Sequence, residues 1–168
     1  MFDHKHYVPV LQWKRGEYLA LRHVFPRDKA RMTPLMQLPS TILDRRERSS
    51  GGVDERIGLV VGQIVENWGS EPMFIDFGLL DDRIRTADGH HPIVRLFEEA
   101  HDSGLSLIPV TTLSPEGDYR DALRTVSSAR SCGVCIRVSP IEILRDDFTN
   151  SIDALLRELI PTCIDQNP

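Results

Sequence analysis

The chain has 168 residues, 40% of them hydrophobic and 27% charged, a length and mixture that suit one soluble domain spanning residues 1–168 with a core of its own. A formal net charge of −5 gives no overall attraction to nucleic acid, which excludes a general polyanion binder. Three cysteines make no disulfide framework, and no stretch approaches the roughly 18 unbroken apolar residues of a membrane span, so a cytoplasmic protein is expected.

The first apolar run, Tyr7 to Trp13, reads as a strand, and a weak helical pattern follows over Glu17 to Val24. A second strand is expected over Met32 to Leu38, then a long link, "PSTILDRRERSSGG". The clearest helix runs from Val53 to Trp68, where Ile57, Val61, Ile64, Val65 and Trp68 share a face and Gly69 supplies the stop. Met73 to Phe77 is the third strand, followed by "GLLDDRIRTADGHHP" and a helix opened by Pro92 with the stripe Ile93, Leu96, Phe97 and Ala100, ending at Gly104. Leu105 to Thr111 and Val134 to Val138 are the last two strands, separated by a helix over Tyr119 to Ala129. Leu155, Leu156 and Leu159 mark a final helix. Short Val- and Ile-rich runs alternating with helical segments are the pattern of consecutive βα units around a parallel sheet. Strand-to-helix links are long and helix-to-strand links short, so the irregular residues collect where α/β folds bind ligands.

Each strand carries a polar residue near its C-terminal end: Gln12 and Lys14, Gln37, Asp76, Thr111 and Thr112, and Arg137. Asp76 stands out because "FIDFGLL" is otherwise a buried strand, and a bare buried carboxylate costs several kcal/mol or more. The expectation is an ionised Asp76 facing Lys14 or Arg137 across a polar mouth, or else a structural ion-pair layer fastening strands together.

The blocks "YVPVLQWKRGEYLAL", "MTPLMQLP", "WGSEPMFIDFGLL", "DGHHPIVRLFEEA", "LIPVTTL" and "GVCIRVSP", in this order, resemble the phage and bacterial Beta protein family up to about Ile160. The resemblance implies a (β/α) barrel-like fold and an origin in phages or in mobile and defence-related bacterial regions, with no established activity. Its matching polar positions are Lys14, Gly16, Glu17, Asp76, His91 and Arg137, whereas Gln12 and Gln37 stand where Lys and Glu are expected. A closed eight-stranded barrel needs roughly 200 residues or more. The fold class expected here is therefore α/β, with consecutive βα units forming a partial, about five-stranded, TIM-barrel-like parallel sheet. Its open face and edges call for a second copy or a protein partner to complete the sheet.

Several constellations remain. "CGVC" spaces Cys132 and Cys135 as CxxC, but Cys135 falls inside a strand and Cys163 stands alone, so neither a redox pair nor a zinc site is expected. "DGHHP" reads as a solvated loop and helix cap rather than a metal site, with His91 the best general acid or base. "LDRRERSSGG" carries Arg45, Arg46 and Arg48, and "KRGEY" carries Lys14, Arg15 and Gly16, either of which suits a phosphate. No motif calls for a cofactor. Two functions follow. One is an interaction module in phage takeover or defence. The other is an enzyme or binding protein for a phosphate-bearing small molecule or nucleotide, with Asp76, His91 and Glu17 as catalytic candidates and Lys14, Arg15, Gly16, Arg45, Arg137 and Thr111 holding the ligand.

Overall fold

The computed structural model describes residues 3–43, 52–115, 117–130 and 132–159. Its elements alternate as the patterning requires: β1 (Val10–Gln12), α1 (Arg15–Arg22), α2 (Pro26–Lys29), β2 (Leu35–Gln37), α3 (Ser40–Leu43), α4 (Val53–Asn67), β3 (Met73–Asp76), α5 (Pro92–Asp102), β4 (Leu107–Thr111), α6 (Gly117–Arg130), β5 (Cys135–Ile136), α7 (Pro140–Ile143) and α8 (Phe148–Leu159). The strands are shorter than the apolar runs that announce them. Proline explains part of this, since Pro9 and Pro34 have no N–H to add to the ladder. Ahead of β1 the pairing is a single bridge, Tyr7 with Met32.

All four strand pairings are parallel, and the sheet order is β1-β2-β3-β4-β5. This order decides the architecture. A doubly wound sheet reverses direction part-way and covers both faces. Strands laid down consecutively with crossovers of one hand carry all their helices on one face, as in a (β/α) barrel. Here the sheet is open, with β1 and β5 at its edges among the described residues, so the expected partial barrel is what forms.

The two faces pack differently. Alternation turns Trp13, Met36, Leu38, Met73, Ile75, Phe77 and Leu107 toward the helices, where they join α4, α5, α6 and α8 in the main core. The other face gathers Leu35, Phe74 and Val110, with Ile108 and Cys135 against them. Among the described residues, the members of that smaller cluster come from strands.

On α4 the buried face is Ile57, Val60, Val61, Ile64 and Trp68, while Val65 is 47% exposed, against the expected stripe. At 3.6 residues per turn Val65 lies about 80° round from Ile57, past the edge of the contact, whereas Val60 falls within it on the other side. Gly69 ends this helix at φ +83°, and its N–H bonds the Ile64 carbonyl at 3.0 Å. Ile93, Leu96, Phe97 and Ala100 of α5 are buried as expected. On α8, Leu155 and Leu159 are buried and Leu156 only half-buried.

Candidate functional site

Asp76 ends β3 in a row that register fixes across three strands, Gln12 beside Gln37 beside Asp76. It is 5% exposed, yet both carboxylate oxygens are engaged. Oδ2 accepts from Arg137 Nη1 at 2.5 Å and from Gln37 Nε2 at 3.2 Å, and Oδ1 accepts from the Gly78 N–H at 2.8 Å. A Cβ at position 78 would stand 3.0 Å from Oδ1, so glycine permits the close approach of chain and carboxylate. Arg137 is fixed from behind, its own N–H bonding the Thr111 carbonyl at 2.7 Å, while its side chain is 51% exposed. Asp76 is thus paired, and its cation is Arg137 rather than Lys14. The Gln37 amide occupies a position where a carboxylate would set two negative charges together.

The other strand-end residues do not all join this row. Asp76 is level with Val110, so Thr111, one residue further, turns to the helix-covered face, where it is buried and its hydroxyl donates to the Thr112 carbonyl at 3.2 Å. Lys14 and Arg15 open onto a separate cleft, bordered by α1, α3 and α4. Gly16 lies in the first turn of α1 with open space beside its Cα. Glu17 accepts from the Gln12 N–H at 2.6 Å. The neighbouring Trp13 N–H bonds Gln37 toward β2, so the Gln12 N–H faces outward from the sheet, and Glu17 covers the free edge of β1 there. Arg45, like Arg46 and Arg48, lies outside the described residues.

His91 caps α5: its Nδ1 accepts from the Ile93 N–H at 3.2 Å, with Pro92 at the first helical position. The ring is 9% exposed, and burial followed by the Arg85 charge lowers its pKa to about 4. At neutral pH it is therefore an uncharged imidazole whose Nε2 carries the proton. It packs between Phe77, at 5.9 Å, and Tyr119, at 5.3 Å between ring centres. The Tyr119 hydroxyl donates to the Val110 carbonyl, and burial together with the Asp76 charge pushes its pKa upward. Arg85 holds Asp118, and these groups with Asp82 and Gly117 line a cleft of about 300 Å³. Sequence reading missed Tyr119 and Arg85, because nothing in their spacing announces a loop arginine and a helix-start tyrosine converging on one histidine.

In the "DGHHP" loop, Asp88 accepts from the Thr86 hydroxyl at 2.5 Å and the His90 N–H at 3.3 Å, a self-contained turn. No group of three or more His, Cys, Asp or Glu is placed to hold a metal among the described residues. Burial, then the Asp76 charge, raises the Cys135 pKa, which disfavours the reactive thiolate.

The sheet order and these strand ends coincide with a family model, "Beta protein", that matches residues 7–161. The chain belongs to the Beta protein family. No curated protein matches it. In this Beta protein family member the polar positions expected from the resemblance divide among three places. Asp76 and Arg137 form the strand-end row, His91 sits behind it with Tyr119, and Lys14, Gly16 and Glu17 surround the end of β1. No described helix is long and apolar enough to cross a membrane.

Proposed function

We propose that this Beta protein family member is a cytoplasmic protein-interaction module whose open sheet joins a second copy of the same chain. One observation carries the reading: apolar side chains are exposed at both edges of the sheet, whereas on the face opposite the helices Leu35, Phe74 and Val110 form a small buried cluster with strand residues among the described ones. Parallel sheets ordinarily have both faces covered. The edges support a self-partner. Tyr7, Val8 and Val10 are exposed beside β1, and Ile141, Ile143 and Leu144 are exposed just past β5. Setting β5 of one copy parallel to β1 of the other brings like ends of the strands to one rim. Arg137 then approaches the partner copy's β1 end, where Glu17, released from the Gln12 N–H that the added strand takes over, supplies the opposite charge. The family resemblance supports placing this module in phage takeover or anti-phage defence.

Light scattering of the full chain across a dilution series tests this. A twofold mass that falls on dilution, and that Val10→Lys reduces to the monomer, supports the module. A monomer at every concentration, with a cooperative melt, overturns it.

A second reading is favoured by the His91 cleft. A neutral imidazole beside Arg85 and Tyr119 offers its Nε2–H as a donor to a bound ligand, and Asp76 lies near enough for its charge to act on Tyr119. On that reading Asp76 and His91 are base and acid, Glu17 assists, and the half-exposed Arg137 meets an anionic ligand at the mouth.

A further inference from the structure

The histidine that caps α5 leaves one of its two ring nitrogens unused. Nδ1 accepts from the Ile93 N–H, so in the uncharged ring Nε2 carries the proton, and no described group accepts from it. His91 is 9% exposed, and Nε2 opens onto the cleft of about 300 Å³ that Asp82, Gly117 and Tyr119 line with it. A donor placed this deeply costs free energy while it lacks an acceptor, and a bound oxygen removes that cost.

Most other groups of the wall are already engaged. The Arg85 guanidinium is held by Asp118 and by the Asp82 and Ile84 carbonyls, and the Tyr119 hydroxyl by the Val110 carbonyl, so Tyr119 offers its ring. Gly117 starts α6 at φ +45° with open space where a Cβ would stand, which leaves that side of the cleft unobstructed. The exposed Asp82 carboxylate makes no hydrogen bond or ion pair among the described residues. One unused donor and one unused acceptor therefore border the same small space.

A hydroxyl presents both functions on one atom, whereas a carboxamide presents them on two, as the separate His91 and Asp82 side chains do. Burial and the Arg85 charge keep the imidazole uncharged, which suits it to polarise a neutral carbonyl oxygen. We propose that this cleft binds a small carboxamide, its carbonyl accepting from His91 Nε2–H, its N–H donating to the Asp82 carboxylate and its apolar part lying against the Tyr119 ring. The inference rests on the second reading above in taking His91 as a donor to a bound ligand, and it names an uncharged ligand for the cleft where that reading has an anion at the mouth.

Nitrogen NMR of the full chain, read at the His91 ring and at the Gly117 amide, tests this with benzamide as the probe. Benzamide should shift both resonances saturably. His91→Asn, which keeps an N-cap, should weaken binding at Gly117 by about tenfold or more. Asp82→Ala should weaken benzamide but not N,N-dimethylbenzamide, which lacks the N–H, and should leave the melt unchanged because the side chain is exposed. No saturable response to benzamide, equal binding in His91→Asn and the parent, or tighter binding of benzoate than of benzamide overturns the proposal. Inorganic phosphate separates its fate from that of the mouth. A His91 response to phosphate that Arg137→Gln removes, with none to benzamide, overturns the carboxamide and keeps the mouth reading. Benzamide binding that His91→Asn removes, with no response to phosphate, supports the carboxamide and drops the mouth reading.

Discussion

The two faces of one sheet are built by the same strands from the same kinds of residue, yet they do opposite work. Toward the helices, Met36, Met73 and Ile75 are fully buried in a core to which six of the described helices contribute. On the other side, Leu35, Phe74 and Val110 form a smaller buried cluster with Ile108 and Cys135, and Val10 at the edge is 60% exposed. The difference teaches that strand alternation only sorts side chains between faces. How large a core each face gathers depends on the order of the strands, because the order decides where the helices land.

The contrast is easiest to break from its stronger side. Ile75→Ala should cost about 3 kcal/mol in denaturant unfolding, since a fully buried side chain leaves a cavity among α4 and α5. Asp76→Ala comes next, at about 2 kcal/mol, because the Gly78 N–H and the Gln37 amide lose their acceptor while half-exposed Arg137 returns to water. Arg137→Ala should also destabilise, and the pair should cost less than the sum of the singles in a double-mutant cycle. Additive costs would show that the two ends of the row act independently.

A smaller effect comes from His91. Its folded pKa, about 4, lies below the unfolded value, so the unfolded chain takes up a proton first as the pH falls. Stability present above pH 6.5 is therefore lost progressively down to about pH 4, by on the order of 1 kcal/mol after allowance for partial solvation. His91→Asn keeps an N-cap without the titration and should flatten the melting temperature across that window relative to the parent. Smallest of all, Val10→Ala should change stability by less than about 0.5 kcal/mol, while lowering the dimer fraction in the light-scattering series. Equal stability losses at Val10 and Ile75 would erase the distinction between the faces.

Much of this was legible from residues. The five strands, the α4 and α5 stripes and the glycine stops follow from apolar period and turn chemistry, which are local. The short helices α2, α3 and α7 were not anticipated, since four residues carry no stripe, though Pro26 and Pro140 each mark a first helical position. For the site, composition at strand ends pointed rightly to Asp76, Gln37 and Arg137 as one cluster. It misled for Thr111 and Lys14, because a shift of one or two residues at a strand's end changes the face or the loop to which a side chain belongs. The pairing of Tyr119 with His91 depends on how α6 settles beside α5, a tertiary matter that no spacing encodes.

The chain's two tryptophans stand at opposite ends of the sheet. Trp13 follows β1 and is tied to Gln63, whereas Trp68 closes α4 beneath the Lys29 ammonium, its indole N–H shared by the Glu71 and Pro72 carbonyls just ahead of β3. They amount to two built-in optical reporters with distinct surroundings, one polarised by an amide and a stacked phenol, the other by a cation. Trp13→Phe and Trp68→Phe would each leave a single emitter. Comparing their emission during unfolding would time the loosening of one rim of the sheet against the other, with no label attached.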